Sequence, residues 1–231
     1  MPQTGSAIIA SNHLSFSDSI FMPLVVPRKV TFLAKSEYFT SPGLKGFVKK
    51  LTFQALGQVP VDRSGGRRSE AALLTGLRLL SEGACIGIYP EGTRSPDGKL
   101  YKGRTGIARM ALESGAPVIP VAMLNTAEIQ PTGQVVPKVR QVEMRFGEPM
   151  NFTGDPSDIK LLRSITDEIM EKIKELSGQE YVDMYASEAK IAIAKARLVA
   201  NKAESAAKRQ ARKVAKKTRK TSKTRKPKSE A

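Results

Sequence analysis

The chain has 231 residues, 40% of them hydrophobic, with a single cysteine. That is the length of one domain of ~150–200 residues with an appendage; it excludes an intrachain disulfide and makes a reducing, cytosolic setting the default. The formal charge of +16 is concentrated in residues 190–231, where 16 Lys and Arg face only Glu204 and Glu230, a local net of +14 that leaves about +2 for residues 1–189. A body of near-balanced charge therefore carries a cationic extension, and the two need separate explanations. No apolar run approaches the ~18–20 residues that cross a bilayer, and the start lacks the basic-then-apolar layout of a secretion signal.

In chain order, short apolar runs rich in β-branched residues predict strands at Ala7–Ala10, Val30–Ala34, Gln58–Val61, Cys85–Tyr89, Val118–Ala122 and Gln141–Phe146. Helical spacing predicts helices over Ser69–Glu82, stopped by Gly83, over Thr105–Ser114, stopped by Gly115, and over Ser157–Leu176, where Ile159, Leu162, Ile165, Ile169 and Ile173 recur at three- and four-residue steps. Strands alternating with helices predict an α/β domain over residues 1–185, with a largely parallel mixed sheet flanked by helices. In such sheets ligands gather where loops leave the carboxyl ends of strands. Residues 186–231 form the basic tail: an Ala/Lys-rich stretch that favours helix, then "TRKTSKTRKPKSEA", which has too few apolar residues to pack and is expected to be disordered.

The one histidine, His13, directly follows the first strand in "ASNHLSFSD", with Asp18 five positions on. An isolated histidine is more often a surface or hydrogen-bonded core residue than a functional one. Here a turn between the two residues can fold the carboxylate back onto one ring nitrogen, fixing the tautomer and freeing the other nitrogen to take a proton from a hydroxyl. No serine stands in a G-x-S-x-G elbow and Cys85 lies in an apolar run, so the nucleophile is expected to be the substrate's own hydroxyl. A second cluster, "YPEGTRSPDGKLYKGRTG" (89–106), leaves a strand through Pro90 and Gly92 and presents Glu91, Thr93, Arg94 and Ser95, then Lys102, Gly103 and Arg104 before the next helix. The planar fork of Arg94 suits a phosphate. "GQVPVDRSGGRR" (57–68) puts Asp62 and Arg63 at another strand end, and "GAPVIPVAM" (115–123) is an apolar strand interrupted by Pro120.

Together, N-H-x-x-x-x-D, G-x-x-x-[VI]-D-R, [YF]-P-E-G-T-R-S and [VI]-[VI]-P-V, in this order, resemble the four blocks of the 1-acylglycerol-3-phosphate acyltransferase (lysophosphatidate acyltransferase) family over roughly residues 5–180. The first and third blocks are specific. The second is looser, with Pro60 and Val61 where the family often has an aromatic and an isoleucine. The resemblance implies that His13 is the general base and Asp18 its orienting partner. It implies that Glu91, Gly92, Thr93 and Arg94 form the acceptor-phosphate region, assisted by Arg63 and Lys102, with Pro120 on the acyl-donor side. Acyl-CoA or acyl-carrier protein would then serve as co-substrate, with no metal and no redox cofactor. A hydroxyl of a lysophospholipid would attack the thioester directly. The alternatives are another acceptor, such as glycerol-3-phosphate or a different lysolipid, and an inactive body with a binding tail.

A lipid substrate implies contact with a membrane surface, peripheral or monotopic, on the cytoplasmic face. The family often has an N-terminal hydrophobic anchor, which this sequence does not show before its first strand. Either translation begins upstream of Met1 or anchoring is done elsewhere, for which two segments are candidates. "EYFTSPGLKGFVKKLTFQALG" (37–57) mixes aromatic, aliphatic and lysine side chains in the manner of an interfacial helix. The tail is attracted to an anionic leaflet by about 1 kcal/mol per Lys or Arg near the surface. The same composition binds nucleic acid non-specifically, which ranks second for the tail, and a merely solubilising extension ranks third.

Overall fold

The computed structural model describes residues 2–35, 57–61, 68–129 and 141–223, with the single positions 43 and 51. The expected interfacial segment 37–57 lies outside the described residues apart from positions 43, 51 and 57, as do Asp62 and Arg63 and the last eight residues of the tail.

Strand β1 (Ala7–Ser11) is buried at every position because it lies inside the sheet and is covered on both faces. Around it run β2 (Val30–Lys35), β3 (Gln58–Val61), β4 (Cys85–Ile88), β6 (Val118–Leu124) and β7 (Glu143–Phe146), in the order β3-β2-β4-β1-β6-β7. Every pairing is parallel except β6 with β7. A separate pair, β5 (Leu100–Tyr101) and β8 (Tyr181–Val182), is too short to have been legible in the sequence.

Alternation along β1 divides the core. Ile8 and Ala10 face one cluster, shared with α2 (Arg68–Ser81), α3 (Gly106–Ser114) and α5 (Ile159–Ser177). Ala7 and Ile9 face the other, shared with α1 (Asp18–Val25) and with Val30, Phe32, Val121 and Met123. In α5 the predicted stripe is buried at Leu162, Ile165, Ile169 and Ile173 but not at Ile159, which as the first residue of the helix stands exposed, and Asp158 caps the helix by accepting from the N–H groups of Lys160 and Leu161. The four-residue α4 (Thr126–Ile129) completes the body.

Pro120 is buried inside β6 between two partner strands, an unusual place for a residue without an N–H. The pairing explains it. Val118 pairs with Met150 while Val121 pairs with Phe146, so three steps on β6 face four on the other strand, a one-residue bulge that leaves Pro120 opposite the irregular stretch.

The chain divides into two compact units, Met1–Ala186 and Ser187–Ala231. The described part of the second belongs to α6 (Ala186–Lys223). Residues 218–223, expected to be disordered, are helical, since the first residue unable to continue a helix is Pro227. No helix among the described residues is long and apolar enough to cross a membrane.

Gly87 in β4 is set by a close approach: a Cβ there would lie 2.3 Å from the Phe32 ring. The absence of that atom lets Phe32 stack on Tyr89 at 5.6 Å between ring centroids. Gly87→Ala is therefore expected to cost ~1–3 kcal/mol by overpacking, measured as a lower denaturation midpoint, whereas Gly106→Ala, with no atom within 4 Å of the new Cβ, should leave the midpoint unchanged or slightly raised. Equal midpoints for the two variants would contradict this packing.

Candidate active site

The loop between β1 and α1 folds around one carboxylate. Asp18, in the first turn of α1, turns its side chain back so that Oδ2 accepts from the N–H groups of Leu14 and Ser15, both at 2.8 Å. The same oxygen lies 2.9 Å from His13 Nδ1. The Asp18 side chain is fully buried and that of His13 is 17% exposed, so the ring reaches the surface from a fixed root. A carboxylate held by two backbone donors acts only as an acceptor, so Nδ1 carries the shared proton and Nε2, on the side away from Asp18, can accept one. Oδ1 is buried with no partner among the described residues; the geometry that serves His13 leaves half the carboxylate unsatisfied.

The plane of the imidazole is fixed by Tyr89, whose ring stacks on it at 3.8 Å with a 9° angle between planes. The Tyr89 hydroxyl is hydrogen-bonded to Ser19 Oγ at 2.8 Å. Burial, followed by the negative charge of Asp18, pushes this phenol well above its ordinary pKa, so the ring stays neutral against the histidine. Gly87, Phe32, Tyr89 and His13 thus form one stack from core to surface.

The backbone of His13 is gripped from both sides by the turn that follows β4. Its N–H donates to Glu91 Oε1 at 3.1 Å, and its carbonyl accepts from the N–H of Ser95 at 2.7 Å. Glu91 Oε2 accepts from the N–H of Tyr101 at 3.0 Å. The His13 loop and the Glu91–Ser95 turn are therefore one hydrogen-bonded unit.

Several expected site residues stand differently in the structure. Glu91, expected in the acceptor-phosphate region, is 1% exposed with both oxygens on backbone donors, so it is a tether and not a surface for an anion. Gly92 makes the turn at φ 73°, with its N–H donating to the carbonyl of Tyr89. Thr93 and Arg94 follow, half-buried, next to the Ser95 that holds His13. The Lys102 ammonium, expected to assist with phosphate, is engaged by Asp183 Oδ1 at 2.8 Å, and that hydrogen bond, with the charge of Asp183, raises its pKa. Arg63 lies outside the described residues. Pro120 pairs with Ala10 inside the sheet; β6 reaches the site through Met123 instead, whose N–H and carbonyl bond both ends of the Asn12 side-chain amide, at 2.7 and 3.0 Å.

Sequence reasoning missed Asn12 and Gln179. Asn12 Nδ2 also donates to Gln179 Oε1 at 2.7 Å, and Gln179 Nε2 donates to the carbonyl of Gly98 at 2.6 Å. Asn12 had a signal, as the residue before the histidine. Gln179 had none. Cys85 lies buried in β4, and burial pushes its thiol up to about 11, so it stays protonated and unreactive at neutral pH.

The sequence model of the Acyltransferase family matches residues 1–124. The 1-acyl-sn-glycerol-3-phosphate acyltransferase of Bacillus subtilis is 30% identical over 184 residues, covering 78% of this chain and 85% of that protein. The chloroplastic enzyme of the same name from Arabidopsis thaliana is 34% identical over 127 residues, which are 55% of this chain and 34% of that protein. The chain thus spans about a third of the length of its chloroplastic relatives. The crystal structure of the 1-acyl-sn-glycerophosphate acyltransferase PlsC from Thermotoga maritima superposes with a TM-score of 0.57 at 28% identity, covering 76% of this chain and 68% of that one. With its first and third sequence blocks joined around His13, the chain belongs to the 1-acylglycerol-3-phosphate acyltransferase family.

Proposed function

We propose that the protein transfers a fatty acyl group from acyl-CoA or acyl-carrier protein to the free hydroxyl of 1-acylglycerol-3-phosphate, giving phosphatidate for phospholipid synthesis. His13 Nε2 takes the hydroxyl proton as the oxygen attacks the thioester carbonyl carbon. The tetrahedral intermediate then collapses, the carbon–sulfur bond breaks, and the thiolate takes the proton back from the imidazolium. Atoms and charge balance with no acyl-enzyme, no metal and no redox cofactor. Most of the acceleration comes from holding the two substrates together and from the general base. The observation that supports this reading best is the Asp18 Oδ2–His13 Nδ1 contact of 2.9 Å on a loop anchored to the Glu91–Ser95 turn. Arg94, in that turn, is the proposed partner for the acceptor's phosphate.

The acceptor places the reaction at a bilayer surface, and the cytoplasmic face supplies the anionic lipid. In α6 the exposed apolar residues Ile191, Leu198 and Val199 are interspersed with Lys195, Arg197, Lys202 and Lys208 on a continuous helix. We assign to this helix peripheral attachment to an anionic leaflet.

Three outcomes test these statements. With oleoyl-CoA and 1-oleoylglycerol-3-phosphate in mixed micelles, the full chain should form phosphatidate in the presence of EDTA. His13→Ala should lower kcat by a factor of ~10²–10⁴, and a variant retaining more than a tenth of the rate would overturn the base assignment. Maleimide treatment of the folded chain should leave activity intact, because the only thiol is buried and protonated; stoichiometric inactivation would instead place Cys85 in the chemistry. In flotation assays the full chain should bind phosphatidylglycerol vesicles and not pure phosphatidylcholine. Replacing Lys195, Arg197, Lys202 and Lys208 with Gln should weaken that binding at least tenfold. Equal vesicle binding by the variant, or duplex DNA displacing the vesicles, would reject membrane attachment through α6.

A further inference from the structure

Residues Gln179–Tyr185 lie beyond the four sequence blocks and beyond the segment matched by the family model, yet they run almost residue for residue along Gly98–Arg104, the stretch that follows the Glu91–Ser95 turn. Gln179 bonds the carbonyl of Gly98. The Lys99 ammonium pairs with Glu180 at 2.7 Å, and the N–H of Leu100 donates to the carbonyl of Glu180 at 2.9 Å. Strand β8 pairs with β5, setting Leu100 beside Tyr181 and Tyr101 beside Val182. Lys102 bonds Asp183 through its side chain and the carbonyl of Met184 through its N–H. Finally, the Arg104 guanidinium lies 4.8 Å over the ring of Tyr185.

Two lines of contact run from this segment to the site. One is short: Gln179 bonds Asn12, the residue directly before His13, and Asn12 in turn spans the backbone of Met123. The other ends at the turn. Arg104 lies so close to Gly92 that a Cβ there would stand 3.0 Å from Nε, and its N–H donates to the carbonyl of Pro90. A guanidinium thus lies over an aromatic ring beside the Gly92 turn, where a planar fork of donors suits a phosphate. Lys102, two residues earlier, pairs with Asp183.

We infer that Gln179–Tyr185 is a strap that completes the active site: Gln179 positions His13 through Asn12, and Tyr185 holds Arg104 against the Gly92 turn as a second guanidinium for the acceptor's phosphate. The inference rests on the proposed acceptor. Gln179 and Tyr185 are positioning residues; Arg104 is the group that touches substrate. A strap that merely tied down the surface would change stability without separating the two kinetic constants.

The test uses the full chain and its Gln179→Ala, Tyr185→Ala, Tyr185→Phe and Arg104→Gln variants, with acceptor and acyl donor varied in turn. Gln179→Ala should lower kcat about tenfold with both KM values within twofold. Tyr185→Ala and Arg104→Gln should each raise the acceptor KM about tenfold and leave the donor KM alone. The double variant should be no worse than either, because both act through one contact, and Tyr185→Phe, which keeps the ring, should match wild type. Unchanged constants in Gln179→Ala and Tyr185→Ala would overturn the strap. Two readouts do not depend on turnover. The ring signals of the only histidine should shift in Gln179→Ala, and binding of a short-chain 1-acylglycerol-3-phosphate, followed by calorimetry, should weaken about tenfold in Tyr185→Ala and Arg104→Gln. A wild-type chain that binds this lipid but does not turn it over defeats the proposed reaction alone. Unshifted ring signals defeat the Gln179 role, and binding equal in all forms defeats the Arg104 role. Should Tyr185→Ala fail to fold, Arg104→Gln and Tyr185→Phe decide the same point.

Discussion

A buried carboxylate with both oxygens occupied holds two distant parts of the chain together. Glu91 takes the N–H of His13 on one oxygen and the N–H of Tyr101 on the other, and it is 1% exposed. Burying that charge is costly unless its lone pairs are filled, and here the filling groups are the backbone of the candidate base and the backbone of β5. The turn after β4 cannot move without stranding Glu91. Nor can the β1–α1 loop change shape without leaving the same charge unpaired. The site is stiff because its failure modes are electrostatically expensive.

Around that tether, each remaining freedom of His13 is removed by a different kind of contact. Asp18 sets the tautomer, Tyr89 sets the plane, Ser95 holds the carbonyl, and Asn12 ties the preceding residue to β6. The supports come from β1, β4, β6 and the loops at their carboxyl ends, as open parallel sheets provide. Gly87 contributes from a distance by making room for the ring that backs Tyr89.

The sequence carried the six strands of the main sheet, the α5 stripe from Leu162 to Ile173 and the His13–Asp18 pair, because each depends on residues close together in the chain. It carried the union of the first and third blocks only through the family resemblance, since the bond from His13 to Glu91 spans 78 positions. Residue type does not disclose the contacts of Glu91 and Lys102. A charged side chain in a loop reads as exposed, and nothing local announces that one closes on two backbone donors and the other on Asp183. Gln179 was illegible, being an amide 167 residues from the Asn12 it serves. The disorder expected from residue 218 onward reflected composition, whereas the helix continues to Lys223 for want of a residue that would break it.

The central claim is that Asp18 holds the proton of His13 on Nδ1 and turns Nε2 towards the substrate. With a single histidine in the chain, nitrogen-15 NMR of the ring reads this directly, without assignment ambiguity. In the neutral form, the claim requires Nδ1 to be the protonated nitrogen and Nε2 the bare one, with that preference lost in Asp18→Ala. A ring protonated on Nε2 in the wild type, or tautomers that do not respond to Asp18→Ala, would contradict the account.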